Sequence, residues 1–327
     1  MLHALHSAGA EVPEEFVHWL IRSVRRERTH RPGLYDGLHG VAATLDTLGH
    51  RSAALEVFDR ACGLNGEAVT VGLMGGRSGI GLSLLRFARI TGDHGLRRAA
   101  ERIAGELASL LRHGASSARL VAPSRGGLLY GMTGPALLFL HLHSETGDPE
   151  FLDLAAAALR RDLDAAVAMP DGSLQLLDQG VRYTAYLGIG SGGVAVALQD
   201  YLDRRPDAAI APLLPMIRKG CASRYVQQPG LLIGRAGFIA VLAHLGRPED
   251  AEVIRHHIRR LALHAKLYGG HLAFPGDKLL RLSMDLATGS AGVLSALSAV
   301  FGGPSPVLPY LEPHLYHGTE TGNPEGR

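Results

Sequence analysis

Ionisable side chains flank a glycine pair, Gly-x-x-Gly, that recurs along the chain. Asp36 and Tyr130 each stand just before the first glycine of a pair, and His39, Arg77 and Arg235 stand between the two glycines of theirs. Carboxylate, phenol and imidazole groups transfer protons, and guanidinium groups stabilise negative charge. The spacing therefore predicts acid–base or anion-stabilising chemistry wherever the fold gathers these glycine pairs.

Two other kinds of site find no support in the residues. No Gly-Lys-Ser/Thr follows a glycine pair, and no Gly-x-Gly-x-x-Gly follows a clear strand, so a phosphate-binding loop is not predicted. No His-Glu-x-x-His occurs, and His141 and His143, two residues apart, face different sides of a helix. We therefore expect neither a cofactor nor a bound metal.

The glycine pairs define a repeat. Their first members are separated by 39, 55, 59, 44 and 55 residues, which leaves room for two helices and two connections in each step. A leucine stands three residues before every pair, an apolar segment follows it, and an amphipathic one such as Glu150–Ala168 precedes the next. The six pairs are Gly37/Gly40, Gly76/Gly79, Gly131/Gly134, Gly190/Gly193, Gly234/Gly237 and Gly289/Gly292.

Further glycines mark where the apolar segments end. Gly49 and Gly246 follow the second glycine of their pairs by nine residues, and Gly92 and Gly147 follow theirs by thirteen. The difference of four is about one helical turn, which is typical of helices of whole turns stopped by glycine. For the paired glycines themselves we expect structural roles: a turn with positive φ at the first, and close packing at the second.

These patterns predict an all-α fold. The opening residues 1–6 resemble residues 293–298, which follow the last glycine pair, so we expect the chain to begin inside a seventh repeat. No polar repeat caps either end, as an open solenoid would require. The prediction is one domain, residues 1–327, forming an α/α toroid of about seven helical hairpins with the first truncated. Residues 173–178 and 269–275 suggest short β-hairpins.

Charge and composition narrow the function. The net charge of +2 and the absence of a basic face give no case for nucleic acid. Two cysteines, Cys62 and Cys221, make no disulfide framework, and we expect a reducing, cytoplasmic setting. No signal segment or membrane span is predicted. In a closed ring, the six glycine loops would meet at one rim around a central cavity, where sites usually lie.

The repeated Gly-Leu-x-x-Gly-x-x-Gly, together with the block Met284–Gly292, resembles the lanthionine synthetase C-like family over nearly the whole chain. The likeness is greatest to the cyclase domain of class III synthetases, which is fused to kinase and lyase domains. The resemblance implies an α/α toroid that closes rings in a precursor peptide. A Cys thiol adds to dehydroalanine or dehydrobutyrine to give a thioether, and class III enzymes also make carbon–carbon crosslinks.

Zinc-dependent members of that family carry Trp-Cys-x-Gly in one rim loop and Cys-His-Gly in the next. Alignment by the glycine pairs places Gly188 where the first cysteine would be, and Leu232 and Ile233 where the second cysteine and the histidine would be. Tyr130 replaces the family's rim histidine. Zinc requires three such ligands and an open position, so the resemblance implies a zinc-free domain.

Without zinc, the substrate thiol must lose its proton by another route. We predict Arg235 and Arg77 as charge stabilisers, and Tyr130, His39 and Asp285 as proton carriers. Each has a structural alternative. Asp285 would cap the last inner helix, Tyr130 would pack, His39 would be a solvated rim residue, and each arginine would pair with a carboxylate of an outer helix.

Three functions compete. The first is a zinc-independent peptide cyclase whose partners are the precursor peptide and kinase and lyase domains or subunits. The second is a peptide-binding toroid without catalysis, which the absent zinc ligands keep open. The third is a glycosidase, which needs two carboxylates across the cavity. Among the rim residues beside glycine pairs, only Asp36 and Asp285 are acidic, so the sequence gives little support for a glycosidase.

Overall fold

Helices form two layers in the computed structural model, which describes residues 1–27, 30–113, 125–302 and 308. The inner helices are α1 Leu2–Ser7, α3 Leu38–Thr47, α5 Arg77–Thr91, α7 Thr133–Thr146, α9 Ser191–Leu202, α11 Arg235–Leu245 and α13 Ser290–Val300. The outer helices are α2 Glu14–Arg26, α4 Arg51–Gly63, α6 His94–His113, α8 Glu150–Leu163, α10 Leu213–Cys221 and α12 Ala251–Leu261. Short 3-10 turns cover Asn65–Glu67, Pro248–Asp250, Ala262–His264 and Asp277–Leu279.

The inner helices form a ring of contacts. Each packs against the next inner helix along the chain, and α1 packs between α13 and α3. A hydrogen bond of 3.2 Å from Ser298 Oγ to the carbonyl of Ser7 joins the last inner helix to the first. The predicted all-α toroid is confirmed, with α1 in the place expected from its likeness to the start of α13.

Composition separates the two layers. Nine of the eleven residues of α11 are buried, whereas α12, of the same length, buries only His257 and Leu261. A helix that is apolar on all sides must be covered on all sides, while an amphipathic helix needs cover on one side only. The inner helices are therefore covered by their neighbours and by the outer helices, as their sequences require.

Glycine has two different uses in the hairpins. Gly92, Gly147 and Gly246 end their inner helices in the left-handed conformation, with φ between 61° and 74°, which confirms the predicted helix stops. The first glycine of each pair does not have the positive φ that we predicted: Gly37 is extended, with φ −156°. Its Cβ would lie 2.2 Å from the carbonyl oxygen of Arg31, so close packing is the reason for glycine there.

Two small antiparallel sheets precede rim loops. Strands β1 Ala166–Ala168, β2 Leu174–Asp178 and β3 Arg182–Thr184 form one sheet, and β4 Lys266–Tyr268 pairs with β5 His271–Ala273. Both predicted hairpin regions are thus strands. The outer helix expected from Glu150 to Ala168 ends instead at Leu163, because its last residues pair with β2. No helix in the described ranges is both long and apolar enough to cross a bilayer.

Candidate functional site

A belt of main-chain hydrogen bonds joins the six rim loops. In each of the first five loops, the residue two before the first paired glycine donates its N–H to the carbonyl of the corresponding residue in the next loop. A leucine beside it anchors each loop, and Leu73, Leu187 and Leu231 are fully buried. The belt bonds are Tyr35 to Met74 (2.9 Å), Met74 to Leu129 (3.2 Å), Leu129 to Gly188 (3.1 Å), Gly188 to Leu232 (2.8 Å) and Leu232 to Ala287 (2.9 Å).

The leading glycine of the Gly-Leu-x-x-Gly-x-x-Gly motif allows this close approach. An ideal Cβ on Gly72 would lie 2.7 Å from Cα of Tyr130, and one on Gly230 would lie 2.6 Å from Cα of Thr288. Real Cβ atoms are not found so near another main chain. The motif therefore sets the distance between neighbouring loops, and it brings the residues before the paired glycines to one rim.

The belt places the positions of the family's zinc ligands side by side. The Gly188 N–H donates to the carbonyl of Leu232. The Gly188 carbonyl accepts from the N–H of Leu129, which precedes Tyr130 in the chain. Gly188 has no side chain, Leu232 is 3% exposed, and an added Cβ on Gly188 would meet Leu129 and Leu232 at 2.9 to 3.1 Å. Zinc is held by nitrogen, sulfur or carboxylate ligands. These apolar residues therefore do not fit a zinc ion.

No alternative metal site emerges from the described ranges, which hold no group of three or more His, Cys, Asp or Glu side chains arranged to bind an ion. Neither cysteine offers a reactive thiolate. Burial raises the pKa of the Cys221 thiol to about 12 and that of Cys62 to about 11, with nearby aspartates adding to the effect. Both thiols are neutral at physiological pH.

Tyr130 is a half-buried residue of the third rim loop. The guanidinium of Arg125 lies over its ring, 4.9 Å from the centroid. Arg125 in turn forms an ion pair of 2.7 Å with Asp178 of β2, a buried carboxylate that also pairs with Arg182. The arrangement fixes a cation beside the Tyr130 ring, at the rim. Nothing in the spacing of Arg125 and Asp178, 53 residues apart, indicated this contact.

An outer-helix carboxylate holds the same loop in place. Asp162 of α8 accepts hydrogen bonds from the N–H groups of Gly127, Met132 and Thr133 and from the Thr133 hydroxyl, at 2.6 to 3.2 Å. Burial raises the pKa of Asp162, and these hydrogen bonds oppose the rise. The carboxylate thereby caps the start of α7 from outside the loop, a role that sequence reasoning missed.

Asp285 is an exposed residue of the sixth rim loop. Its carboxylate accepts a hydrogen bond from the Ser283 hydroxyl, and one of 2.6 Å from the Thr288 N–H. Burial raises the pKa of Asp285, but the hydrogen bonds from Ser283, Thr288 and Gly289 outweigh it and leave the pKa below its ordinary value. The carboxylate is thus ionised at neutral pH, and its hydrogen bonds stabilise the turn before α13. This role resembles the helix cap that the structural alternative predicted for Asp285.

His39 lies in the core. Its Nε2–H donates to Asn65 Oδ1 at 2.8 Å, and its Nδ1 accepts from Ser83 Oγ at 2.9 Å. The side chain is completely buried, and its ring meets Phe58 edge-on. Burial lowers the pKa of His39 to about 4. The alternative that made it a solvated rim residue is therefore wrong, and its proton-carrying role stays a prediction.

The two arginines also point into the wall between the helical layers. Arg77 donates to the carbonyl of Asn65 at 3.2 Å and pairs with Glu106 of α6 at 3.3 Å. Arg235, 4% exposed, donates to Nδ1 of His257 at 2.9 Å and to the carbonyls of Arg224 and Val226. Of the five predicted site residues, only Tyr130 and Asp285 lie on rim loops, and the structure does not test their roles.

The chain also forms an open cavity of about 960 Å³ between α1, α2, α3 and the first and sixth rim loops. Its lining is mainly apolar and includes Trp19, Leu20 and Leu286, with His3 and Asp36 among the polar members. Tyr130, Gly188 and Leu232 do not line it. The cavity is therefore separate from the part of the rim that corresponds to the family's metal site.

Comparison with known proteins supplies two similarities. A probable SapB synthase of Streptomyces coelicolor is 39% identical to this chain over 322 residues, which are 96% of the chain and 34% of that protein. The chain thus spans about a third of the relative's length. The structure of nisin cyclase matches with a TM-score of 0.65 at 12% identity, covering 91% of this chain and 82% of that one. No protein-family model matches the chain.

The two similarities agree with the geometry. The nisin cyclase match shows the same fold. The synthase match extends over 96% of the chain. From this shared fold and sequence, the chain belongs to the lanthionine synthetase C-like family, as a lanthipeptide-cyclase-like domain.

Proposed function

We propose that this domain closes thioether rings in a dehydrated precursor peptide, and that it does so without zinc, as in class III synthetases. In the reaction a Cys thiol loses its proton and the sulfur forms a bond to the β-carbon of dehydroalanine or dehydrobutyrine. The π electrons of the alkene move to the α-carbon and its carbonyl, and a proton then adds to the α-carbon. Atoms and charge balance without an oxidant or metal.

One observation carries the proposal. Tyr130 follows Leu129, whose N–H bonds in the belt to Gly188, one of the three positions that our alignment assigns to zinc ligands. A fixed cation, Arg125, covers the Tyr130 ring. A phenol delivers or accepts a proton, and a nearby guanidinium favours the thiolate and the enolate. We assign proton transfer to Tyr130 and Asp285, because both are on rim loops. His39, Arg77 and Arg235 support the wall in this proposal.

The test incubates the domain with a dehydrated precursor peptide and follows loss of free thiol by alkylation and mass spectrometry. Parallel reactions contain a metal chelator, and a matched reaction omits the protein. We expect closure above the protein-free rate that the chelator does not change. Closure abolished by the chelator would refute the zinc-free mechanism, and closure no faster than without protein would refute catalysis.

A second function, a toroid that binds the peptide while another component acts, has one observation in its favour. Three of the five predicted site residues are engaged inside the wall rather than presented at the rim. Saturable binding of the dehydrated peptide with no acceleration of ring closure would select it. In either case we propose a precursor peptide as ligand, kinase and lyase domains or subunits as partners, and the cytoplasm as location.

A further inference from the structure

Exposed apolar side chains are concentrated in residues 263–284, which we name the arm. It contains eight of the seventeen large apolar side chains that are exposed in the described part of the chain. Leu267, Leu272 and Tyr268 of the β4–β5 hairpin are 69% to 79% exposed, and Leu280 and Met284 reach 80% and 69%. Scattered apolar residues need no explanation, but a contiguous group usually marks a binding surface.

Within the described residues, the two strands of the arm's hairpin pair only with each other. Lys266 pairs with Ala273 and Tyr268 with His271, around a turn at Gly269 and Gly270. Alternate residues of an antiparallel pair direct their N–H and C=O groups away from the partner strand. No further described strand pairs with these outward groups, so an extended chain can add there as a third strand.

The arm also carries unneutralised positive charge. Lys266, Lys278 and Arg281 are exposed, and none forms an ion pair with a carboxylate of the described ranges. Arg224 and Arg260, on neighbouring segments, likewise have no carboxylate partner there. Burial lowers the pKa of His264, and the charges of Arg235 and Lys266 lower it further, so Lys266 acts on the base of the arm. Because Asp277 is the arm's one acidic residue, the complementary ligand is acidic.

The arm is fixed to the rim. The Phe274 N–H donates to Ser290 Oγ of α13 at 3.0 Å, and the Ser283 N–H donates to the Phe274 carbonyl at 3.2 Å. Pro275 and Leu282 form a further bridge. The hairpin thus projects next to the sixth rim loop, where a peptide bound to it would have its following residues at the pore mouth.

We propose that the arm binds an extended, acidic and apolar segment of the precursor peptide as an added strand. This docking proposal depends on the proposed function in one respect, namely that the ligand is a peptide. Carboxylates of the segment pair with Lys266, Lys278 and Arg281, and its apolar residues cover Leu267 and Leu272. Charge pairs and apolar contacts both contribute to the affinity. Salt screens only the charge pairs, so the affinity falls as the salt concentration rises but is not lost.

The probe is a fluorescein-labelled peptide of about ten alternating Glu and Val residues, with binding followed by anisotropy. We expect affinity to fall at least about tenfold in the triple variant Lys266→Glu/Lys278→Glu/Arg281→Glu, and also in Leu267→Ser/Leu272→Ser. Matched controls are Arg98→Glu on α6 and Val181→Ser, 83% exposed. Both should bind as the unmodified protein does, and circular dichroism should show every variant folded, because all the changed side chains are exposed.

Three results would overturn the docking proposal: no binding of the probe, equal loss in the controls, or self-association of the protein that the arm substitutions abolish. The last result would assign the arm to a second copy of the chain. Ring closure is scored separately, with the thiol assay. A protein that closes rings but does not bind the probe disproves the arm alone, and one that binds the probe but closes no rings disproves only the cyclase.

Discussion

Nη1 of Arg235 lies 2.9 Å from Nδ1 of His257, in a buried contact between the inner helix α11 and the outer helix α12. An arginine can only donate, so this ring nitrogen accepts, and Nε2–H of His257 donates to the carbonyl of Cys221 at 3.0 Å. Burial lowers the pKa of His257 to about 4, which keeps it neutral and able to accept. The pair joins α11 to α12 and to the segment before the fifth rim loop.

Replacing this arginine should cost stability. Arg235→Met leaves His257 and two carbonyls without their donor in a buried setting, so we expect a loss of about 2–4 kcal/mol in the free energy of unfolding. Urea denaturation followed by circular dichroism measures it. Arg98→Met, on the exposed face of α6, should change stability by less than about 0.5 kcal/mol. Equal stability of the two variants would contradict the structural role.

Two glycine-to-alanine substitutions should change the stability of the protein in opposite directions. A Cβ on Gly237 would lie 2.2 Å from the carbonyl oxygen of Leu231, so Gly237→Ala should lower stability by about 3 kcal/mol or more. Gly105 lies inside α6 with nothing within 4 Å of an added Cβ, so Gly105→Ala should raise it by about 0.5–1 kcal/mol. Thermal melts compare them. A Gly237→Ala protein as stable as the unmodified chain would argue against the close approach.

His39 should make stability depend on pH. Its pKa is about 4 in the folded protein and about 6.5 when unfolded. Below pH 6.5 the unfolded chain binds a proton that the folded protein does not, so stability is complete above pH 6.5 and falls as the pH drops towards 4, by at most about 3 kcal/mol. Urea unfolding at several pH values should show a smaller fall in His39→Gln than in the unmodified chain, with the exposed His271→Gln as control. An unchanged slope would reject this.

Tyr130→Phe separates catalysis from packing. The substitution keeps the ring under Arg125 but removes the hydroxyl, so stability should change by less than about 0.5 kcal/mol. If the phenol carries a proton, the rate of ring closure should fall about 100-fold or more. The thiol alkylation assay measures the rate. Tyr183→Phe, a tyrosine of β3 that is 43% exposed, serves as the control. A full rate in Tyr130→Phe would remove this residue from the mechanism.

The sequence determined the architecture. Six glycine pairs at spacings that fit helical hairpins, with a leucine before each, specify both the repeat and the contact between loops. These are local requirements: a helix stop needs positive φ at Gly92, and a carbonyl within 2.2 Å excludes any side chain at Gly237. Because such requirements depend on residue types, they can be recognised from the sequence without coordinates.

Tertiary structure decided which side chains reach the rim. Spacing fixed the places of His39, Arg77 and Arg235 in their helices, but each successive residue of a helix points in a different direction by about 100°. Whether such a residue faces the cavity or the wall depends on how the helix is rotated against its neighbours. The partners of Arg125 and Asp162 are equally invisible in sequence, because Asp178 and Gly127 approach them only when segments far apart in the chain fold together.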